Sequence, residues 1–109
     1  MLRQLCDSYG YGIRDVRKDN GRVFCDAAYG DRTEIIAFLS DRFGLTRRDA
    51  LCDNGAAIRC TGALGHTETF RYLTERFDLS PEDIAPGCQC AQANGRHDII
   101  EFCKSRGAL

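Results

Sequence analysis

Four residues in the last quarter of the sequence have side chains of the kinds that bind zinc, namely Cys88, Cys90, His97 and Cys103. The cysteines of structural zinc sites usually have about two to four residues between them. Cys88 and Cys90 have a single residue between them, and on a helix residues i and i+2 point in different directions. This spacing favours buried structural thiols over a metal site, and we expect no cofactor.

The 7 cysteines in 109 residues also raise the alternatives of a disulfide scaffold or of redox chemistry. The odd number of cysteines and the polar start of the chain argue against a secreted scaffold. Cysteine is among the residue types most often buried, where it behaves as a small apolar residue. We therefore predict free thiols, and no disulfide among the cysteines at helical positions, which are Cys25, Cys60, Cys88, Cys90 and Cys103.

The histidines and carboxylates are candidates for acid–base or nucleophilic catalysis. A Cys–His nucleophile pair needs a third, orienting group and a cleft. His66 directly follows a glycine, which is typical of a turn residue that bonds backbone groups. Asp49 and Asp83 each stand three residues after a Thr or Ser, which is the spacing of a helix-capping box. No motif of a phosphate loop, dinucleotide site, zinc protease or serine hydrolase is present, and we predict that the protein is not an enzyme.

An internal repeat explains where these residues fall. The segment that begins at Leu5 matches segments at Leu39 and Leu73, so that the copies are 34 residues apart, and a last copy follows after 30. In each copy apolar residues stand at positions i, i+3 and i+7, which form one face of an amphipathic helix. We expect Leu39 and Leu73 to be fully buried between neighbouring copies.

Each copy divides into two helices and a connection, and no segment shows the alternation of a strand. The apolar columns predict outer helices over about 1–9, 32–43, 66–77 and 96–106. Segments rich in Ala, Gly and Cys predict inner helices over about 22–29, 56–64 and 87–94. The capping signals predict a separate helical turn in each connection. Glycines in the left-handed conformation should end the inner helices, and these are Gly30, Gly65 and Gly95.

The sequence resembles the ankyrin repeat family over nearly its whole length. Ala57–Leu73 is similar to the two-helix core of an ankyrin repeat, and Cys25–Ile36 and Cys90–Ile100 follow the same pattern. The connection Phe43–Asp49 resembles that of a divergent subtype found in large DNA viruses and some protists. The Thr-Pro-Leu-His opening of the family is absent from every copy, which favours a short helical turn over the family's β-hairpin finger. The Gly-His motif remains only at Gly65–His66.

The resemblance implies an all-α helical repeat solenoid of ankyrin-like helix-turn-helix units, with short helical turns in the connections. We expect a single ankyrin-like repeat domain over residues 1–109, made of a half repeat 1–18, repeats 19–52 and 53–85, and a C-terminal repeat 86–109.

Charge and hydropathy exclude several classes of partner. With 15 Lys+Arg against 16 Asp+Glu, the net charge of -1 gives no strong field for nucleic acid or an anionic membrane surface. No apolar run approaches the roughly 20 residues of a membrane-spanning helix, and the polar start MLRQLCDS does not resemble a signal peptide. We predict a cytoplasmic location in a reducing compartment, which is the host cytoplasm if the chain is viral.

Solenoid repeats present their connections and inner helices as an extended surface for other proteins. The sequence therefore predicts a non-enzymatic protein–protein interaction module, and the alternative is a structural component held permanently in a larger assembly such as a virion or ribonucleoprotein particle. The apolar first helix also suggests self-association through that helix, or contact with a partner there. The candidate binding residues are Leu2, Arg14, Arg17, Lys18, Asn20, Arg22, Asp26, Arg47, Arg48, Asn54 and Arg59.

Overall fold

The computed structural model describes residues 24–109, and every regular element in this range is a helix. A leading helical segment covers residues 24–29. The helices that follow are α1 (Thr33–Phe43), α2 (Arg47–Ala50), α3 (Cys52–Leu64), α4 (Thr67–Arg76), α5 (Pro81–Ala93) and α6 (His97–Ser105). No strand occurs in residues 24–109, so the predicted all-α class is confirmed. The predicted helix over residues 1–9 lies outside the described range.

The described helices lie in two rows. The outer row consists of α1, α4 and α6, in which α4 contacts both of its neighbours. In the inner row, α3 and α5 pack along each other. Each of these inner helices also packs against the outer helix that follows it in the chain, so that α3–α4 and α5–α6 are two helical hairpins.

The apolar columns of the outer helices contribute the core between the rows. Leu39 is 4% exposed and Leu73 is 0% exposed, which confirms that both are buried. Cys103 takes the same column in α6 and is also buried. Full burial of one such leucine contributes about 1.5–3 kcal/mol to stability, so this column accounts for much of the attachment of the outer row.

Both predicted capping boxes are present in the connections. The backbone N–H of Thr46 donates to Oδ2 of Asp49 at 2.8 Å. The backbone N–H of Ser80 donates to Oδ2 of Asp83 at 2.9 Å, and the Ser80 hydroxyl accepts from the Asp83 backbone N–H at 3.2 Å. These bonds satisfy N–H groups that the first turn of a helix leaves without partners. The first box opens the short helix α2, as predicted.

The second box opens a different element from the one expected. Helix α5 runs from Pro81 to Ala93 without a break, so the prediction of a separate turn followed by an inner helix over about 87–94 is wrong. The closing glycine stands 15 residues after the capping residue in this copy and 19 residues after it in the preceding copy. The difference is about one turn of an α-helix. The connection is therefore too short to hold a break, and the turn and the inner helix merge.

Each turn after an inner helix contains a residue in the left-handed conformation, as expected. In one of the three turns this residue is not the predicted glycine. Gly65 and Gly95 have φ values of 77° and 66°, which confirms the prediction for these two glycines. In the first turn the left-handed residue is Asp31, with φ 57°, and the prediction for Gly30 is wrong. The left-handed residue stands two residues before the outer helix in all three turns, and in the first turn Gly30 stands one residue earlier than this position.

The cysteines of the inner helices show the same offset of one residue. In all three turns the backbone N–H before the outer helix bonds to the carbonyl five residues earlier, at 2.9–3.0 Å. Measured from that carbonyl, Cys60 and Cys90 occupy the same position, whereas Cys25 stands one residue earlier. The three cysteines therefore do not occupy equivalent positions, although each stands five residues before a glycine.

Two glycines set the spacing of the inner row. A Cβ atom built on Gly62 of α3 would lie 2.2 Å from the carbonyl oxygen of Gly87 in α5. A Cβ on Gly87 would lie 2.5 Å from Cγ2 of Ile58 and 2.7 Å from the ring of Phe70. The two helix backbones are thus in direct contact, which only glycine allows at both positions. The sequence gives a weak signal of this contact, because a glycine inside a helix costs about 1 kcal/mol and usually has a packing reason.

One disulfide bond contradicts the prediction for the cysteines. Cys88 of α5 and Cys103 of α6 are joined, with their Cα atoms 6.0 Å apart. The prediction considered equivalent positions in neighbouring copies, where helix axes are about 8–10 Å apart. Cys88 and Cys103 instead belong to the two helices of one hairpin, where the small side chains allow a Cα separation that a disulfide can span. Free thiols are therefore not the rule here, although Cys60 and Cys90 are half-buried thiols outside the disulfide.

Candidate protein-interaction surface

The structure describes five of the candidate binding residues, namely Asp26, Arg47, Arg48, Asn54 and Arg59. The other candidates lie outside the described residues, and these are Leu2, Arg14, Arg17, Lys18, Asn20 and Arg22. Arg47 and Arg48 are exposed on α2, which packs against α3. We call four of the described candidates the connection surface, and these are Arg47, Arg48, Asn54 and Arg59.

An ion pair joins the connection surface to the next copy of the repeat. The guanidinium of Arg47 donates to the carboxylate of Asp83 through Nε at 2.9 Å and through Nη2 at 2.5 Å. The Arg47 side chain is 58% exposed, whereas that of Asp83 is 12% exposed. Such two-point Arg–carboxylate contacts fix the geometry of both groups. The pair thereby holds α2 and the start of α5 in a defined relative position.

Several opposing effects act on the carboxyl group of Asp83. Partial burial by itself would raise its pKa, because burial penalises the charged form. The hydrogen bonds from Arg47 and from Ser80, together with the positive charge of Arg47, outweigh this effect and lower the pKa below the ordinary value of 3.8. Asp83 is therefore a carboxylate at neutral pH, and it serves as cap and ion-pair partner at once.

The depressed pKa of Asp83 predicts a pH-dependent contribution to stability. A carboxyl group whose folded pKa lies below its unfolded pKa stabilises the fold at pH values above both, and this contribution is lost as the pH falls through the folded pKa. Asp83→Asn should therefore lower the free energy of unfolding by about 1 kcal/mol at pH 7. The difference from wild type should shrink as the pH drops below 3.8, which urea unfolding at a series of pH values will measure.

Asp78→Asn is the matched control for that series. Asp78 is exposed, and its left-handed φ of 50° suits asparagine as well as aspartate. We expect this variant to follow the wild type at every pH. An Asp83→Asn deficit that stays constant down to pH values well below 3.8 would show that the charge of Asp83 contributes nothing.

Asn54 and Arg59 form a second local contact of the connection surface. Nε of Arg59 donates to the backbone carbonyl of Asn54 at 3.1 Å. Asn54 and the adjacent Gly55 have left-handed φ values of 57° and 72°, so the regular part of α3 begins at residue 56, where the inner helix was expected. Asn54 is exposed and Arg59 is half-buried. Asp26 is exposed on the leading segment 24–29.

His66 acts as the turn residue that its sequence context predicts. Its Nε2 lies 3.0 Å from the carbonyl oxygen of Tyr29, in the turn of the preceding copy. Its Nδ1 lies 3.8 Å from Oδ2 of Asp31 in that turn. Arg96 stands at the matching position of the next turn, and its Nε donates to the carbonyl of Ala63 at 3.0 Å. A side chain before the outer helix thus reaches back to the preceding turn in both cases.

A chain of hydrogen bonds between polar side chains links α4 to α1 and to the turn before it, and the sequence analysis does not predict it. The hydroxyl of Thr69 donates to Oδ1 of Asp31 at 2.7 Å and accepts from the hydroxyl of Thr33 at 2.7 Å. Thr69 is fully buried, so these bonds satisfy a hydroxyl that would otherwise be costly to bury. The sequence indicates this chain only through Thr69 itself, which is a polar residue at the repeat position that Ile35 and Ile99 occupy in the neighbouring copies.

Two further features concern metals and membranes. Within the described part of the chain, no group of three or more His, Cys, Asp or Glu side chains is placed to hold a metal ion. The sulfurs of Cys88 and Cys103, two of the four residues considered as zinc ligands, are bonded to each other. Among residues 24–109, no helix has both the length and the apolar character needed to cross a membrane.

Comparisons with models of known protein families, with curated proteins and with solved structures gave no match to this chain.

Proposed function

We propose that this chain is a non-enzymatic module of stacked ankyrin-like repeats that binds another protein through the connection surface. The resemblance of Ala57–Leu73 to an ankyrin repeat motivates the family assignment. The main support for the proposal is the set of contacts that recur from one copy to the next.

These recurring contacts support the stacking of repeats. The pairs His66–Tyr29 and Arg96–Ala63 are 37 and 33 residues apart, which is close to the length of one repeat. The Arg47–Asp83 ion pair also joins neighbouring copies, over 36 residues. In a repeat solenoid each unit contacts its neighbours, and equivalent contacts therefore return at intervals of one repeat.

The hydrogen bonds made by the connection surface support a role in binding. Association costs free energy whenever flexible groups must be ordered, and a surface that is already ordered avoids part of that cost. The bond from Arg47 to Asp83 and the bond from Arg59 to Asn54 hold two of the charged groups in place. Arg48 is exposed next to Arg47 on α2, where a partner can reach it.

The use of the titratable groups supports a function other than catalysis. His66 bonds to a backbone carbonyl in a turn, and Asp49 and Asp83 bond to backbone N–H groups at helix starts. These side chains already have structural partners and do not converge on one cleft. A binding module uses such groups to hold its surface in shape, as the capping boxes do here.

A charge reversal on the connection surface tests the proposed function. The purified chain is used as bait in an extract of its native cells, and the bound partner is quantified for wild type, Arg48→Glu and Lys104→Glu. We expect Arg48→Glu to weaken binding about tenfold, because a charge at the rim of an interface acts directly on the partner. Lys104 is exposed on α6, away from the connection surface, so its reversal is the matched control and should leave binding unchanged.

Two outcomes would contradict this function. Equal loss of the partner in both variants would mean that net charge, and not the connection surface, governs binding. Gel filtration of the native extract gives the second test, because a chain found only within one large particle, and never free, would favour the structural-component alternative. A free pool of the chain together with selective loss in Arg48→Glu supports the proposal.

A further inference from the structure

The hairpin α5–α6 differs from the preceding hairpin α3–α4 in the residues that fill its core. Cys88 stands at the repeat position of Ile58, and Cys103 stands at that of Leu73. All four side chains are fully buried. In the last hairpin a disulfide thus takes the place of two large aliphatic side chains.

This replacement weakens the apolar attachment of α6. Two cysteines bury less apolar surface than an isoleucine and a leucine, so hydrophobic burial contributes less to this hairpin than to the preceding one. Only Ile99 and Cys103 of α6 are fully buried, and one of these two is half of the disulfide. The covalent bond therefore supplies stability that burial supplies elsewhere in the chain.

The surface beneath α6 is apolar. The ring of Phe70 in α4 is fully buried and meets the ring of Phe102 in α6 edge to face, with centroids 5.9 Å apart. Ile99 is buried in the same helix. Separation of α6 would expose these groups to solvent and so create an apolar patch on α4, a kind of surface that proteins use for contacts.

We propose that the Cys88–Cys103 disulfide is a redox latch that holds α6 against α4 and α5. A dithiol reductant opens the latch by thiol–disulfide exchange. One thiolate of the reductant attacks one cysteine sulfur, a mixed disulfide forms, and the second thiol of the reductant releases the protein sulfur. The protein takes up two electrons and two protons and gains two thiols, and the reductant becomes a cyclic disulfide. The reduced α6 then separates more often and uncovers Phe70.

The burial of the disulfide determines how the latch responds. Both cysteines are 0% exposed, so a reductant reaches the sulfurs only when α6 opens locally. Local opening of a short helix costs less free energy than global unfolding. The latch is thus a slow device, since reduction waits for an opening event and then makes further opening more frequent.

Amide hydrogen exchange with and without dithiothreitol tests the latch in the full-length chain. We expect reduction to speed exchange in α6 at least tenfold and exchange in residues 56–64 of α3 less than twofold. Cys103→Ser should show the fast α6 exchange without reductant and should no longer respond to it. Cys90→Ser is the matched control, because Cys90 is a half-buried thiol of α5 outside the disulfide, and this variant should respond like the wild type.

Three results would overturn the proposal. The air-oxidised protein has no latch if its intact mass shows no loss of the two hydrogens that a disulfide removes. Equal α6 exchange in oxidised and reduced protein would mean that the bond does not hold the helix. A response to dithiothreitol that persists in Cys103→Ser would assign the effect to other cysteines.

Discussion

Gly62→Ala should destabilise the protein by about 2 kcal/mol, although alanine is the better helix former. The gain in helix propensity is about 1 kcal/mol. The added methyl group would, however, lie 2.2 Å from the carbonyl oxygen of Gly87, and a backbone atom has no rotamer with which to move away. Forcing the two inner helices apart costs about 3 kcal/mol or more, and the difference between these effects sets the expected loss. Urea unfolding monitored by circular dichroism measures it.

Gly30→Ala is the matched control for this substitution. Gly30 does not have a positive φ, and a Cβ built on it meets its nearest neighbour at an ordinary 3.5 Å. This variant should be as stable as the wild type or slightly more stable. If Gly62→Ala also gained stability, the backbone contact between α3 and α5 would be refuted.

Leu73→Ala should lower the free energy of unfolding by about 2–5 kcal/mol, because it leaves a cavity in the core between the rows. Leu73 is fully buried on α4. A loss of this size is a large part of the roughly 5–15 kcal/mol that stabilises a typical domain. Thermal and urea unfolding give the value directly.

Leu64→Ala serves as the control for the core substitution. Leu64 ends α3 and is 38% exposed, so truncation removes little buried surface and should cost less than about 1 kcal/mol. Equal costs for the two variants, or an unchanged melting temperature in Leu73→Ala, would show that the assigned register of the apolar columns is wrong.

The local features of the fold could be predicted from the sequence because short segments determine them. The 34-residue repeat and the i, i+3, i+7 pattern place the outer helices and the burial of Leu39 and Leu73. The spacing of Ser80 and Asp83 predicts the capping box, and the position of His66 after a glycine predicts its role in the turn. The sequence patterns that predict the helices and the capping box each lie within a short segment of the chain.

The remaining features depend on how helices from different copies approach one another. Periodicity shows which face of a helix is buried but not how close two backbones come, and the contact of Gly62 with Gly87 was missed for that reason. The disulfide was missed because Cys88 and Cys103 become neighbours only when the hairpin closes. A glycine near the end of a helix does not by itself locate the turn either, since Asp31 and not Gly30 has the left-handed conformation.

The same limit applies to the candidate surface. The sequence identifies Arg47 as a charged residue of a connection, yet only the structure pairs it with Asp83. That partner is 36 residues away and was expected to serve as a helix cap alone. Side chains that join two copies of a repeat have no signature within either copy.

We propose that successive copies stack in one direction, and the nuclear Overhauser spectrum of the isotope-labelled protein is the most direct test of this stacking. Stacking predicts cross-peaks between side chains one repeat apart, including Thr33 with Thr69, and between the α protons of Gly62 and Gly87. It also predicts cross-peaks from the imidazole of His66 to the turn at Tyr29. A well-dispersed helical spectrum that lacks these cross-peaks, and connects the helices in another order, would contradict this stacking.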